Sequence, residues 1–149
     1  MPNPRVTGIH HVKLPVANLE TAAAWYVHAL AARRVARFDH HDTQGQLFAV
    51  ILFLPGCATP VELRRAPETA AALTGFDPVT FGVADETALQ AWVDRLDEHG
   101  IEHSPVTRAF LGSLIELTPP DGPRLRFYTD PPGGFTAAEL DTSATPGPS

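Results

Sequence analysis

The chain has a single cysteine, Cys57, in 149 residues. An intrachain disulfide is therefore excluded, and so is a metal site built on paired cysteines. A reducing compartment is the expectation. Basic residues are also scarce: 11 Lys and Arg stand against 17 Asp and Glu, for a formal net charge of -6. That balance argues against a nucleic-acid partner, which would call for a basic stripe. No apolar run is long enough to span a bilayer. The opening Met1-Pro2-Asn3-Pro4-Arg5 lacks the apolar core of a signal peptide. A cytoplasmic protein with no membrane partner is expected. There is no G-x-G-x-x-G and no P-loop, which argues against dinucleotide and nucleotide cofactors. No Ser or Cys nucleophile sits in a recognisable motif, and Cys57 follows Pro55-Gly56 in a turn, where it reads as inert.

What is present is a pattern that repeats. Val12, Leu14 and Val16 alternate with polar neighbours from Ile9 onward, as a half-buried strand does. Asn18 offers an N-cap, and Leu19, Ala22, Ala23, Tyr26 and Leu30 follow at helical spacing, predicting a helix over 19–30. Strands are predicted over 34–39, 46–54 and 59–65, with His40-His41-Asp42 in a solvated turn between the first two. After a linker at 66–77 the pattern restarts: a strand around Val79, Phe81 and Val83, an Asp85 cap, and a helix closed by His99-Gly100. Strands over 105–110, 113–118 and 124–129 complete it.

A shift of 67 positions lays His11 to Asn18 on Pro78 to Asp85 and Trp25 on Trp92. A shift of 64 lays Val61-Glu62-Leu63 on Leu125-Arg126-Phe127. Two copies of a β-α-β-β-β unit account for both. The expected fold is α+β: two βαβββ modules forming a curved mixed sheet, with helices on the convex face and a cup-shaped pocket between the modules. One domain over 1–136 is expected, with modules at 6–65 and 78–130 and a disordered tail at 137–149. By alternation His11, Lys13, Glu62, Arg64, Thr80, Arg124, Arg126 and Tyr128 face the cup. Phe38, Phe48 and Phe110 are further candidates for its lining.

His11-Val12-x-Leu14-x-Val16-x-Asn18-Leu19, Trp25-Tyr26 and the Pro120-Asp121-Gly122 hairpin resemble the vicinal oxygen chelate superfamily. Its members include glyoxalase I, bleomycin-resistance proteins and extradiol dioxygenases. The resemblance covers about residues 6–130 and implies a homodimer. In metal-dependent relatives, four positions hold one divalent ion. Here they are His11, Glu62, Pro78 and Arg126. Proline has no side-chain ligand atom, and a guanidinium has no lone pair to give. The resemblance therefore implies the fold and the pocket, but neither a metal nor any other cofactor.

Three functional readings follow. In the first, His11, Glu62 and Arg126 meet at the cup floor as an acid–base set. Lys13, Arg64, Thr80, Arg124 and Tyr128 hold the substrate. The reaction is an isomerisation, elimination or cyclisation in specialised metabolism. In the second, the cup sequesters a drug or metabolite without chemistry, as in self-resistance. Aromatic lining would favour that reading, and the charged cluster is then purely structural. In the third, His11, Glu62 and a residue outside the family positions hold a metal for a lyase or dioxygenase.

Overall fold

The computed structural model describes residues 2–140. The first module runs β1 (Val12–Val16), α1 (Leu19–Leu30), β2 (Arg33–Arg34), β3 (His40–His41), β4 (Leu47–Phe53) and β5 (Val61–Arg65). A short helix, α2 (Pro67–Ala72), lies in the linker. The second module runs β6 (Val79–Val83), α3 (Glu86–Glu98), β7 (Thr107–Arg108), β8 (Ser113–Leu117) and β9 (Leu125–Thr129). The last described element is α4 (Gly134–Leu140).

Each module closes its own sheet. The strand orders are β1-β5-β4-β2, with β3 also on β4, and β6-β9-β8-β7. The first and last long strands of each module pair in parallel, Val12 on Val61 and Val79 on Leu125. These two registers match the 67- and 64-residue shifts of the sequence repeat. Hydrogen-bonded pairing stops at the module boundary, so the curved surface is built from two sheets.

Both helices are capped as the sequence predicts. Asn18 Oδ1 accepts the Thr21 amide at 3.0 Å and Asp85 Oδ1 accepts the Ala88 amide at 2.8 Å. Gly100 takes the left-handed conformation after α3, with φ 66°, which glycine adopts without a Cβ clash. The apolar faces of α1 and α3 cover their sheets and join one core. Leu14, Tyr26, Leu30 and Leu63 meet Leu89, Leu96, Ile115 and Phe127 in it. Trp25 and Trp92 pack at its edge. Arg95 ties the modules together: its Nε and Nη2 donate to the Ala29 and His28 carbonyls at the end of α1, at 3.1 and 3.0 Å. Those carbonyls have no partner within the helix, so a cation there is favoured twice.

Three expectations are corrected. The strand over 34–39 is broken: only Arg33–Arg34 pair, and Ala36–Phe38 form a 3-10 turn. The cause is a fork from Arg34 to Asp39, at 3.2 and 2.8 Å. An extended chain would part those residues by ~16 Å, so the backbone must fold back. His40–His41 are not a solvated turn, because they pair with β4 as β3. The strand over 105–110 shrinks to two residues before a turn closed by the Ala109 amide on the Gly112 carbonyl. The expected tail at 137–149 is helical at its start, in α4, and its residues 141–149 lie outside the described residues.

His103 joins α3 to β8. One ring nitrogen lies 2.8 Å from Asp97 Oδ1 and the other 2.7 Å from the Ser104 carbonyl. Only the doubly protonated ring satisfies both acceptors. Burial lowers its pKa, but Asp97 and the Ser104 carbonyl outweigh that and raise it above its ordinary value. A raised folded-state pKa gives stability that is complete below the ordinary value of 6.5 and fades as pH climbs through the raised one. Chemical denaturation against pH is expected to show that fade as pH rises above 6.5 in the native chain. His103→Gln should remove it.

Candidate functional site

An open cavity of about 650 Å³ lies on the concave face of the first module. Four segments build it: the chain entering β1 (His10, His11), the stretch Arg37–His41, the β4 side chains Phe48, Ile51 and Phe53, and Pro60 with Glu62 at β5. The Arg34–Asp39 fork, reinforced by Glu20 at 3.3 Å, holds the Arg37–His41 stretch as one wall. The Val12 amide donates to the Pro60 carbonyl at 3.1 Å, which sets His11 beside Pro60 at the rim.

Glu62 is the buried charge of the site, 3% exposed. A buried carboxylate is tolerated only with partners. Its Oε2 accepts Arg64 Nε at 2.9 Å and lies 3.8 Å from Lys13 Nζ. Its Oε1 faces His40 Nε2 across 3.9 Å, too far for a direct hydrogen bond. His40 Nδ1 lies 2.7 Å from the Phe38 carbonyl, which can only accept. The proton of neutral His40 therefore sits on Nδ1, and Nε2 turns a lone pair to the cavity. Phe48 meets His40 edge-on at 5.7 Å and carries the Arg64 guanidinium over its face at 5.1 Å. His10 and His11 share one proton between Nδ1 atoms 2.9 Å apart. Arg37 lies over the Phe38 ring at 4.9 Å and pairs with no carboxylate among the described residues.

The expected set is divided. His11, Lys13, Glu62 and Arg64 gather at the first-module face. Arg126 is engaged elsewhere: Nη2 donates to Glu116 at 2.9 Å, and Nε lies 2.7 Å from Asp77, off the N–H direction, as an ion pair without a hydrogen bond. Arg124 also pairs with Glu116, at 3.6 Å. No ion pair among the described residues links Arg126 to Glu62. Thr80 and Tyr128, with Phe110, line a separate second-module cavity. The sheets are separate, and Arg126 has nearer carboxylates.

The sequence reading sets His40 in a solvated turn and does not single out Arg37, yet both line the cavity. The only signal was a polar His-His pair, which pattern alone cannot separate from a loop. The Asp42 carboxylate accepts the Gln44 and Gln46 amides on one oxygen and is held below the usual carboxylate range by them. Of the four positions the resemblance assigns to a metal, Pro78 has no ligand atom and Arg126 is a paired guanidinium. Those two do not fit a cation. Among the described residues no three His, Cys, Asp or Glu side chains are arranged to hold one.

A family model described as the Glyoxalase/Bleomycin resistance protein/Dioxygenase superfamily matches residues 8–136. Among solved structures, a glyoxylase/bleomycin resistance protein/dioxygenase domain from Frankia sp. EAN1pec is 24% identical, with a TM-score of 0.64 over 84% of this chain and 93% of that one. An antibiotic binding protein from Streptomyces sp. CB03234 is 19% identical, with a TM-score of 0.67 over 85% and 98%. A fosfomycin resistance protein from Listeria monocytogenes, complexed with Mn(II) and sulfate, is 15% identical, with a TM-score of 0.64 over 92% and 100%. These similarities show the shared fold. No curated protein matches the chain significantly.

The Phe38 carbonyl makes the tautomer of His40 measurable. Long-range proton–nitrogen spectra above neutral pH are expected to show neutral His40 protonated on Nδ1. A ring protonated on Nε2 would mean that the carbonyl does not hold it.

Proposed function

The chain belongs to the glyoxalase/bleomycin resistance protein/dioxygenase superfamily, and we propose that it binds a small organic molecule in the first-module cavity without a metal ion. Phe38, Phe48, Ile51 and Phe53 take an apolar or aromatic skeleton. Arg37 and the imidazoles take an acidic hydroxyl or a carboxylate. The observation that carries this reading is the pairing of aromatic walls with a guanidinium that no carboxylate of the described chain neutralises. A pocket of this size with few polar groups suits small-molecule recognition. The antibiotic-binding and fosfomycin-resistance relatives lend support by fold. The loss of ligand chemistry at Pro78 and Arg126 supports the absence of a metal. The single cysteine fits a reducing compartment, so cytoplasmic residence is part of the proposal.

A second reading, acid–base catalysis, rests on one feature. Glu62 Oε1 and His40 Nε2, 3.9 Å apart, are two acceptors at the cavity wall, and a substrate hydroxyl that reaches either can give it its one proton. An isomerisation, elimination or cyclisation would then run on His40 and Glu62, with His11 at the rim.

The test is ligand extraction from the purified protein, with elemental analysis of the same sample. A substoichiometric metal content is expected. The ligand should be recovered unchanged after prolonged incubation, and Arg37→Ala should weaken its binding by about tenfold, the usual effect of losing one charge-assisted hydrogen bond. A chemically altered ligand, with turnover lost in His40→Ala, would make the protein an enzyme. Stoichiometric metal would overturn both readings.

A homodimer is also proposed. The outer edge of β1 pairs with no strand among the described residues; the Ala17 amide just after it donates to the Asp121 carbonyl at 2.9 Å, and Val6 and Ile9, just before it, are 90% and 70% exposed. Sedimentation equilibrium is expected to give twice the 16.0 kDa chain mass. A mass of one chain at micromolar concentration would refute it.

A further inference from the structure

The second module has a cavity of its own, about 330 Å³, at the lower end of the range usual for small-molecule sites, ~300–1,000 Å³. It shares no residue with the first-module cavity. Its walls include Phe110 and Tyr128 of the second module and Phe135 of α4, with Asp130 and Thr80 at its polar side. Phe110 and Phe135 are 45% and 67% exposed, so their faces are open to an incoming molecule. The Tyr128 hydroxyl accepts the Leu111 amide at 2.9 Å and fixes the loop that carries Phe110.

Asp130, an exposed residue, is the one charged side chain lining this cavity. Its amide donates to the Val83 carbonyl at 2.7 Å, which anchors the residue. Its carboxylate has no ion pair or hydrogen bond among the described residues. The arginines of the module are engaged elsewhere: Arg126 by Glu116 and Asp77, Arg124 by Glu116, Arg108 by Glu86, and Arg95 by the Ala29 and His28 carbonyls. Gly82 makes the placement possible, because a Cβ there would collide with the Asp130 carboxylate. An unpaired carboxylate beside three aromatic rings matches an organic cation on both counts. The carboxylate gives a charge-assisted hydrogen bond, and the rings attract positive charge through their faces.

We propose that this second cavity binds a small organic cation, a primary or alkylated amine on an apolar skeleton. The site does not depend on the first-module reading. The two cavities of the chain take opposite charges, an acid in the first and an amine in the second.

Phenethylamine and phenethyl alcohol, alike in shape and different in charge, are the probes. Calorimetric titration and amide spectra would follow both. Phenethylamine is expected to bind about tenfold tighter than the alcohol, shifting the Gly82, Leu111 and Asp130 amides. Asp130→Asn should erase that preference while the alcohol binds as before, which shows that the cavity still forms. Gly82→Ala, which keeps the carboxylate but displaces it, should weaken the amine alone. Equal binding of the two probes, an unchanged preference in Asp130→Asn, or shifts confined to first-module amides would overturn the proposal.

Discussion

The structure depends on one repeated constraint: in each module the opening strand lies parallel to the closing strand of the same module. A parallel pair needs a crossover, and α1 and α3 provide it. Once Val12 is fixed on Val61 and Val79 on Leu125, the two-residue period of a strand decides every other orientation. Leu14, Leu63 and Phe127 must face the helices. Lys13 and Glu62, and Thr80 and Arg126, must fall side by side on the opposite, concave surface.

That surface is where the modules part company. In the first, a buried carboxylate gathers cations around it: Arg64 and Lys13 on one oxygen, His40 opposite the other. In the second, the equivalent place holds Arg126, and carboxylates gather instead. Each central charge finds its partners close by. What is left over differs in sign. Among the cavity-lining side chains, Arg37 in the first module and Asp130 in the second have no ion pair within the described residues. One backbone therefore presents two chemically distinct cavities.

Much of this was legible in the residues. The helix at 19–30, both caps, Gly100 and the repeat registers follow from local rules, because caps and alternation act over a few residues. The cavity assignment did not follow. The stretch from Arg34 to His41 reads as a strand and a loop, and it becomes a wall only through the fork of Arg34 on Asp39 and Glu20. The Glu20 contact spans fourteen residues and has no periodic signature. Nor could alternation tell whether Glu62 and Arg126 would meet. Alternation gives the face of a residue and is silent on the distance between two sheets.

The Arg95 contact with the last carbonyls of α1 reaches across the repeat boundary into a core that both modules share. Parting the modules would strip water-excluded apolar surface and leave two carbonyls and a guanidinium without partners at once. The modules, alike as they are, are thereby denied independent lives: the chain should melt as a single cooperative unit, and a lesion in the shared core will be felt at both cavities.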